Sequence, residues 1–185
     1  MPFMSTLNIA VFVGSLRAES INLRLARALE KLVPGQVKFH YVDLNVPLFN
    51  QDLENDMPAA AAKLKQHIKD AQGVLFVTPE HNRSIPAALK NAIDWGTRPW
   101  GQNVWIGKAG GIVGTSPSAA GTAMAQQHLR NILAAEGVNV LTTPEVFLQM
   151  KDGLIDAQYQ ITNEDTRKFL QGWVDRYIDW VSKSV

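Results

Sequence analysis

The chain of 185 residues contains no cysteine. Disulfides, thiolate metal ligands and redox-active thiols are therefore excluded. It also has no apolar run approaching the roughly 20 residues that a membrane-spanning helix needs. The opening residues, MPFMS, lack the basic segment and apolar core of a secretory signal peptide. These absences favour a cytoplasmic protein, in which any redox chemistry comes from a bound cofactor.

Net charge is also nearly absent, since 18 Lys and Arg residues face 17 Asp and Glu residues, for a formal charge of +1. Such a balance provides no strong field to attract nucleic acid or an anionic membrane. The hydrophobic fraction of 46% and the charged fraction of 19% are ordinary for a soluble globular protein. The length is enough for one good core and short for two. We therefore predict a single domain over residues 1–185, with neither nucleic acid nor a membrane as partner.

Two kinds of apolar segment alternate along the chain. Short β-branched or Gly-rich runs predict strands at residues 7–13, 37–42, 73–78, 108–114 and 138–141. Segments with apolar residues at helical spacing predict helices at 21–33, 58–71, 86–95, 122–135 and 162–182. Strict alternation is typical of an α/β fold with a parallel sheet between two helical layers. With five strands, the economical choice is a flavodoxin-like domain of strand order 2-1-3-4-5.

In such a sheet, ligands bind outside the carboxyl ends of the strands. The first loop at that edge, GSLRAESIN at 14–22, opens directly into a helix. Ser15, Ser20 and Asn22 offer short polar side chains, and the planar cation of Arg17 suits a phosphate. The free N–H groups and the positive dipole end of the helix would complete an anion site. Alternatively, Ser20 or Asn22 only caps the helix and Arg17 is a surface charge.

This first loop matches neither GxGxxG nor GxxxxGK[ST], so the dinucleotide fingerprint and the P-loop are both absent. The second loop, TPEHNRSIP at 78–86, is stiffened by prolines, and its backbone could face the edge of a planar ring. The alternative is an ordinary turn in which Asn82 adopts a left-handed conformation. The third loop, TSPSAAG at 115–121, has small side chains that allow a ligand to approach its backbone closely, or it is a flexible connection.

Together these segments resemble the NADPH-dependent FMN reductase family, in particular its chromate and quinone reductase branch. The resemblance rests on GSxRxxSxN at 14–22 and PExNxSxPxxLKNxxDW at 79–95, which are specific as a pair, together with the third loop. It implies FMN as the bound cofactor and NADPH or NADH as the co-substrate. Electrons would then pass by a ping-pong mechanism to a small oxidant such as a quinone, free flavin or chromate. Because the flavin performs the hydride transfer, no side chain need be a catalytic acid or nucleophile.

The resemblance also implies which residues bind FMN. The phosphate is assigned to Ser15, Arg17, Ser20 and Asn22, with Ile21 between them. The flavin ring is assigned to the loop of Pro79, Glu80, His81, Asn82 and Ser84, and the ribityl and pyrimidine side to Ser116 and Gly121. One residue departs from the family pattern, since position 81 is usually Tyr and is His here. Relatives are commonly homodimers or homotetramers with the helix at 86–95 between subunits, and no metal is implied.

Two functions of other classes stay open at this point. A flavin-binding electron carrier or redox sensor would bind FMN without turning over NAD(P)H. A flavin-free scaffold of the same fold would ignore added FMN, and Arg17 in the first loop argues against it. A hydrolase is not indicated, because no Ser-His-Asp order with a nucleophile elbow is present.

Overall fold

The computed structural model describes residues 6–33, 35 and 37–184. In this part of the chain, parallel pairing joins six strands into one sheet. They are β1 (Leu7–Val13), β2 (Val37–Tyr41), β3 (Gly73–Val77), β4 (Ala109–Ser116), β5 (Asn139–Val140) and β6 (Phe147–Gln149). The order β2-β1-β3-β4-β5 confirms the predicted flavodoxin-like α/β topology. The segment examined for a signal peptide lies outside the described residues, and the single domain over residues 1–185 stays a prediction.

The sixth strand is the main difference from the five strands that the sequence predicts. The carbonyls of Gly110 and Ser116 accept hydrogen bonds from the N–H groups of Leu141 and Met150, so β5 and β6 lie along the same edge of β4. Between them, Pro144 has no N–H to give to the ladder. The edge strand is therefore divided in two, and the prediction found only its first half.

Five α-helices are described in this part of the chain. They are α1 (Ile21–Glu30), α2 (Ala59–Asp70), α3 (Ala87–Gly96), α4 (Ala123–Ala135) and α5 (Glu164–Ser182). Four of them begin within one residue of the predicted position, and α5 begins two residues later than predicted, after Asn163, whose Oδ1 accepts from the Thr166 N–H at 2.8 Å. Helix α1 ends three residues earlier than predicted, because the residue before Pro34 is biased away from helical backbone.

The helices cover both faces of the sheet. Ile9 and Val11 pack on one face with α1 and α5, while Ala10 and Phe12 pack on the other with α2, α3 and α4. Strand β3 is buried along its whole length, as its continuous apolar run predicted. Because the crossover helices run antiparallel to the strands, their N-termini meet the loops at the carboxyl edge of the sheet.

Candidate functional site

Three loops come together at the carboxyl edge, named here the β1 loop (residues 14–20), the β3 loop (78–86) and the β4 loop (117–122). The Gly14 N–H donates to the carbonyl of Val77 at 2.9 Å. A Cβ on Gly14 would lie 3.1 Å from Cδ of Pro79 and 3.3 Å from Cγ of Pro86. The β1 and β3 loops are thus in direct contact, and a side chain at position 14 would crowd the two proline rings.

The β1 loop presents donors around the start of α1. The Ser20 Oγ accepts from the Leu23 N–H at 3.2 Å, which confirms the capping interpretation and leaves the hydroxyl proton free to donate. Arg17 is exposed, and its N–H contacts the Ser15 Oγ at 3.4 Å. Ile21 begins the helix. This donor set, at a helix N-terminus, suits a phosphate dianion.

Several backbone amides of the same loop are also available. Among the described residues, no acceptor pairs with the N–H groups of Leu16, Ala18 and Glu19. The segment from Leu16 to Glu19 is exposed, so these amides face solvent. Unpaired amides in the same loop as a guanidinium supply the donors that an anion requires.

Asn22 has a structural contact that the sequence did not indicate. Its Oδ1 accepts from the Thr115 N–H at 3.1 Å, and its Nδ2 donates to the Thr115 carbonyl at 3.0 Å. The Thr78 N–H makes the last bond of β3 to β4, at the carbonyl of Val113, and the chain then turns away at Pro79. The buried amide of Asn22 replaces the missing strand next to Thr115. A contact from Asn22 to the FMN phosphate stays a prediction, for which one Nδ2 hydrogen is left.

The β3 loop contains a tight hairpin turn. The backbones of His81 and Ser84 exchange two N–H···O bonds of 2.9 Å each. Between them, Asn82 has φ 51° and Arg83 has φ 69°, which is the pattern of a type I′ turn. The left-handed conformation predicted for Asn82 is confirmed. His81, Asn82 and Arg83 are exposed at the tip of this turn.

Two side chains join the β3 loop to α4. The Glu80 Oε2 accepts from the Ala125 N–H at 3.2 Å, in the first turn of the helix, where amides lack intrahelical partners. The Ser84 Oγ lies 3.0 Å from Nδ1 of His128, one helical turn further along. The loop is therefore fixed at both ends of its turn, and its backbone is rigid without a ligand.

The β4 loop packs closely against the backbone of β6. Gly121 has φ 54°, and a Cβ there would lie 2.4 Å from the carbonyl carbon of Phe147. Ser116, at the end of β4, donates from Oγ to the Ser118 carbonyl at 3.1 Å. Thr122 is buried in a left-handed conformation, and its Oγ1 accepts from Nε2 of Gln126 at 3.0 Å. Small residues and close backbone contacts thus hold this loop in one shape.

The structure brings all of the predicted cofactor residues to the same edge of the sheet. One loop has donors suited to an anion, and two loops held by their own hydrogen bonds lie at the same edge, an arrangement compatible with a flavin that carries a single phosphate. The residues present fit FMN by the chemistry of their donors. Fold and site together define a flavodoxin-like, FMN-binding class of protein.

The comparisons with known proteins give the family. The model of the NADPH-dependent FMN reductase family matches residues 7–153, and the chain belongs to this family. The chain is 51% identical over 176 residues to a 2-hydroxy-1,4-benzoquinone reductase of Burkholderia sp, covering 95% of this chain and 96% of that protein. A quinone reductase of Pseudomonas putida is 42% identical, with 94% of each chain covered.

A solved structure has the same fold over nearly its whole length. FerB, a flavoenzyme NAD(P)H:(acceptor) oxidoreductase from Paracoccus denitrificans, superposes with a TM-score of 0.94 at 44% identity, covering 96% of this chain and 98% of that one. Within the described residues, no helix has the length and apolar character to cross a membrane. No group of three or more His, Asp or Glu residues in that part of the chain could hold a metal ion.

The anion site makes Arg17 the first residue to test. We expect Arg17→Ala to weaken FMN binding by about 10- to 150-fold, because a charge-assisted hydrogen bond of roughly 1.5–3 kcal/mol is lost. Fluorescence titration of the FMN-free protein with FMN measures this change. Arg176→Ala removes the same charge from an exposed position of α5 and should leave the affinity unchanged. Equal FMN affinity in Arg17→Ala and wild type would remove Arg17 from the site.

Proposed function

We propose that this protein is an FMN-dependent NAD(P)H:quinone oxidoreductase that acts on small benzoquinones, in the cytoplasm where NAD(P)H is available. The observation that carries the proposal is the meeting of an anion-binding loop and two rigid backbone loops at one edge of the sheet. The quinone reductase names of relatives at 51% and 42% identity, which cover nearly the whole chain, support the choice of acceptor.

Each of the three loops would bind a different part of the cofactor. Ser15, Arg17, Ser20 and the free amides of the β1 loop would bind the phosphate. The β3 loop would present its backbone to the ring. Amides of the β4 loop would stabilise negative charge on the pyrimidine side, whereas the Ala125 amide at the start of α4 already bonds to Glu80. When bound, FMN supplies the hydride acceptor and the two-electron donor that the chain itself lacks.

The overall reaction is balanced without any other reactant. NAD(P)H loses a hydride and becomes NAD(P)⁺, and the quinone gains two electrons and two protons to become a hydroquinone. One of these protons derives from the hydride and the other from solvent. We propose that both substrates use the same exposed face in turn, as the ping-pong scheme requires.

Anaerobic spectroscopy tests this function directly. The FMN-loaded protein should lose its visible flavin absorbance with NADH or NADPH and regain it when 1,4-benzoquinone is added. Initial rates at several fixed quinone concentrations should give parallel double-reciprocal lines. A flavin that stays oxidised with both pyridine nucleotides would favour the electron carrier or sensor, and intersecting lines would contradict the ping-pong scheme.

His81 is the residue we propose for contact with a hydroxyquinone. It is exposed beside the turn of the β3 loop, and its backbone is fixed by the paired bonds with Ser84. We expect His81→Phe to raise KM for 2-hydroxy-1,4-benzoquinone about three- to tenfold, the value of one hydrogen bond of about 0.5–1.5 kcal/mol. The rate of flavin reduction by NADH should not change.

Unsubstituted 1,4-benzoquinone is the control substrate for this variant, because it lacks the hydroxyl group that the imidazole would contact. His81→Asn retains a donor and should keep most of the preference. If His81→Phe raises KM for both quinones equally, the side chain acts on the shape of the site and not on the hydroxyl.

We also propose a homodimer or homotetramer, as the family resemblance implies. Asn91 and Trp95 of α3 do not face outward, because their side chains bond to the segment that contains Pro47. The exposed candidates nearby are Leu48 and Trp100, whose side chains are 78% and 85% exposed. Aromatic residues are favoured at the centres of interfaces. Light scattering of wild type and Trp100→Ala would test the assembly, and a monomeric wild type would contradict it.

A further inference from the structure

A cavity lies next to the β1 loop, and most of its lining residues are not assigned to FMN. It has a volume of about 380 Å³ and lies between this loop and the segment that follows β2. Its lining includes Ser15, Leu16, Arg17, Tyr41, Asp43 and Asn45. Both β1 and β2 end here, so the cavity opens at the same edge of the sheet as the three loops.

The cavity shares two residues with the phosphate site. Ser15 and Arg17 line it, and both belong to the anion-binding loop. A ligand in the cavity would therefore lie beside the FMN phosphate. A nicotinamide dinucleotide is longer than FMN, with a second ribose and a base beyond its two phosphates. If the nicotinamide lies on the flavin ring, an adenosine end at this position requires the co-substrate to extend along the cofactor.

One part of the lining suits a flat apolar base. Leu16 contributes an aliphatic side chain that is 61% exposed, although it stands between two polar residues. The Tyr41 hydroxyl donates to Oε2 of Glu30 at 3.0 Å, and the guanidinium of Arg27 lies 3.8 Å from the ring centroid. Burial, followed by the charge of Glu30, raises the pKa of Tyr41, so the ring remains a neutral phenol.

Another part of the lining suits a ribose. The Asp43 Oδ1 accepts from the Asn45 N–H at 2.9 Å, which fixes the carboxylate in place. No described residue bonds to its second oxygen, and the side chain is exposed. Asp43 stands just after β2, where dinucleotide-binding sheets use a carboxylate to accept from a ribose 2′-hydroxyl. The β1 loop itself lacks the glycine fingerprint of those sheets, so the likeness lies in the position of the carboxylate alone.

We propose that this cavity holds the adenosine end of the nicotinamide co-substrate and that Asp43 accepts a hydrogen bond from its 2′-hydroxyl, which favours NADH over NADPH. The inference rests on the proposed function, since it assigns a site to its co-substrate. The 2′-phosphate of NADPH would place negative charge next to the carboxylate. Arg17, the cation of this lining, would be paired with the FMN phosphate, and Lys63 belongs to a separate cavity that Asp43 also lines.

The variant Asp43→Asn removes the negative charge of the side chain and keeps its shape. Its amide oxygen can still accept from the Asn45 N–H, and its volume is nearly the same. We expect the ratio of kcat/KM for NADH to kcat/KM for NADPH to fall about tenfold, which corresponds to about 1.4 kcal/mol. ADP-ribose, which carries the adenosine end without a nicotinamide, should bind the FMN-loaded variant several-fold more weakly by calorimetry. FMN affinity should be unchanged.

Asp56→Asn is the matched control, because Asp56 is an exposed residue of the same β2–α2 segment outside the cavity lining. It should alter neither the nucleotide ratio nor the affinity for ADP-ribose. The proposal is overturned if Asp43→Asn leaves both quantities unchanged, if Asp56→Asn shifts them equally, or if ADP-ribose does not bind the wild-type protein.

The same experiment distinguishes this inference from the proposed function. If neither NADH nor NADPH reduces the flavin, the oxidoreductase function fails. Calorimetry with ADP-ribose still decides the site, because it needs no turnover. Weaker binding of ADP-ribose to Asp43→Asn than to Asp56→Asn would then support the cavity assignment, and equal binding would contradict it.

Discussion

Gly114→Ala is expected to lower the free energy of unfolding by about 3 kcal/mol, at the upper end of the usual cost of overpacking. A Cβ at this position would lie 2.1 Å from Oγ1 of Thr122 and 2.4 Å from the carbonyl oxygen of Thr78. The second of these atoms belongs to the backbone at the end of β3 and cannot rotate away. The β3 and β4 loops would have to separate, so FMN affinity should fall as well.

Urea denaturation of the FMN-free protein measures the effect of Gly114→Ala, and titration with FMN measures its consequence for the site. The control is Gly172→Ala, at an exposed position in the interior of α5 where a new Cβ meets no atom within 4 Å. It should raise the free energy of unfolding by roughly 0.5–1 kcal/mol, because alanine favours a helix interior over glycine. A Gly114→Ala variant as stable as wild type would show that the two loops can move apart at little cost.

Asn22→Ala is expected to lower the free energy of unfolding by about 2–6 kcal/mol, since it leaves two buried backbone groups unpaired at roughly 1–3 kcal/mol each. The groups are the N–H and the carbonyl of Thr115, which bond to the side chain of Asn22 and lie within the sheet. Asn22→Asp should also destabilise, because a carboxylate can accept from the N–H but cannot donate to the carbonyl. Urea denaturation without FMN is the measurement.

The stability of the FMN-free protein separates the two roles of Asn22. A side chain that only binds the FMN phosphate would lower FMN affinity and leave the unfolding of the free protein unchanged, and this outcome would contradict the structural role. Asn131→Ala, at an exposed position of α4, is the matched control and should change stability by no more than about 0.5 kcal/mol.

The sequence determined the architecture through patterns that act over short distances. The continuous apolar run of β3 follows from burial on both faces, and the helical spacing of α5 follows from burial on one. The composition of the β1 loop, with Arg17 before a helix start, predicts an anion site, because all of the residues that this site needs are close together in the sequence. Asn82 was predicted to tolerate a left-handed backbone, and the turn confirms it.

Only the tertiary structure decided the contacts between distant segments. Asn22 and Thr115 are 93 positions apart, and nothing in either motif shows that the amide replaces a strand that has already turned away. The division of the edge strand into β5 and β6 depends in the same way on which carbonyls of β4 are free to accept. Asp43 follows β2 in the chain, and it lines a cavity with the β1 loop only because β2 lies next to β1. Local patterns record burial and backbone preference, whereas these contacts depend on which segments the folded sheet makes neighbours.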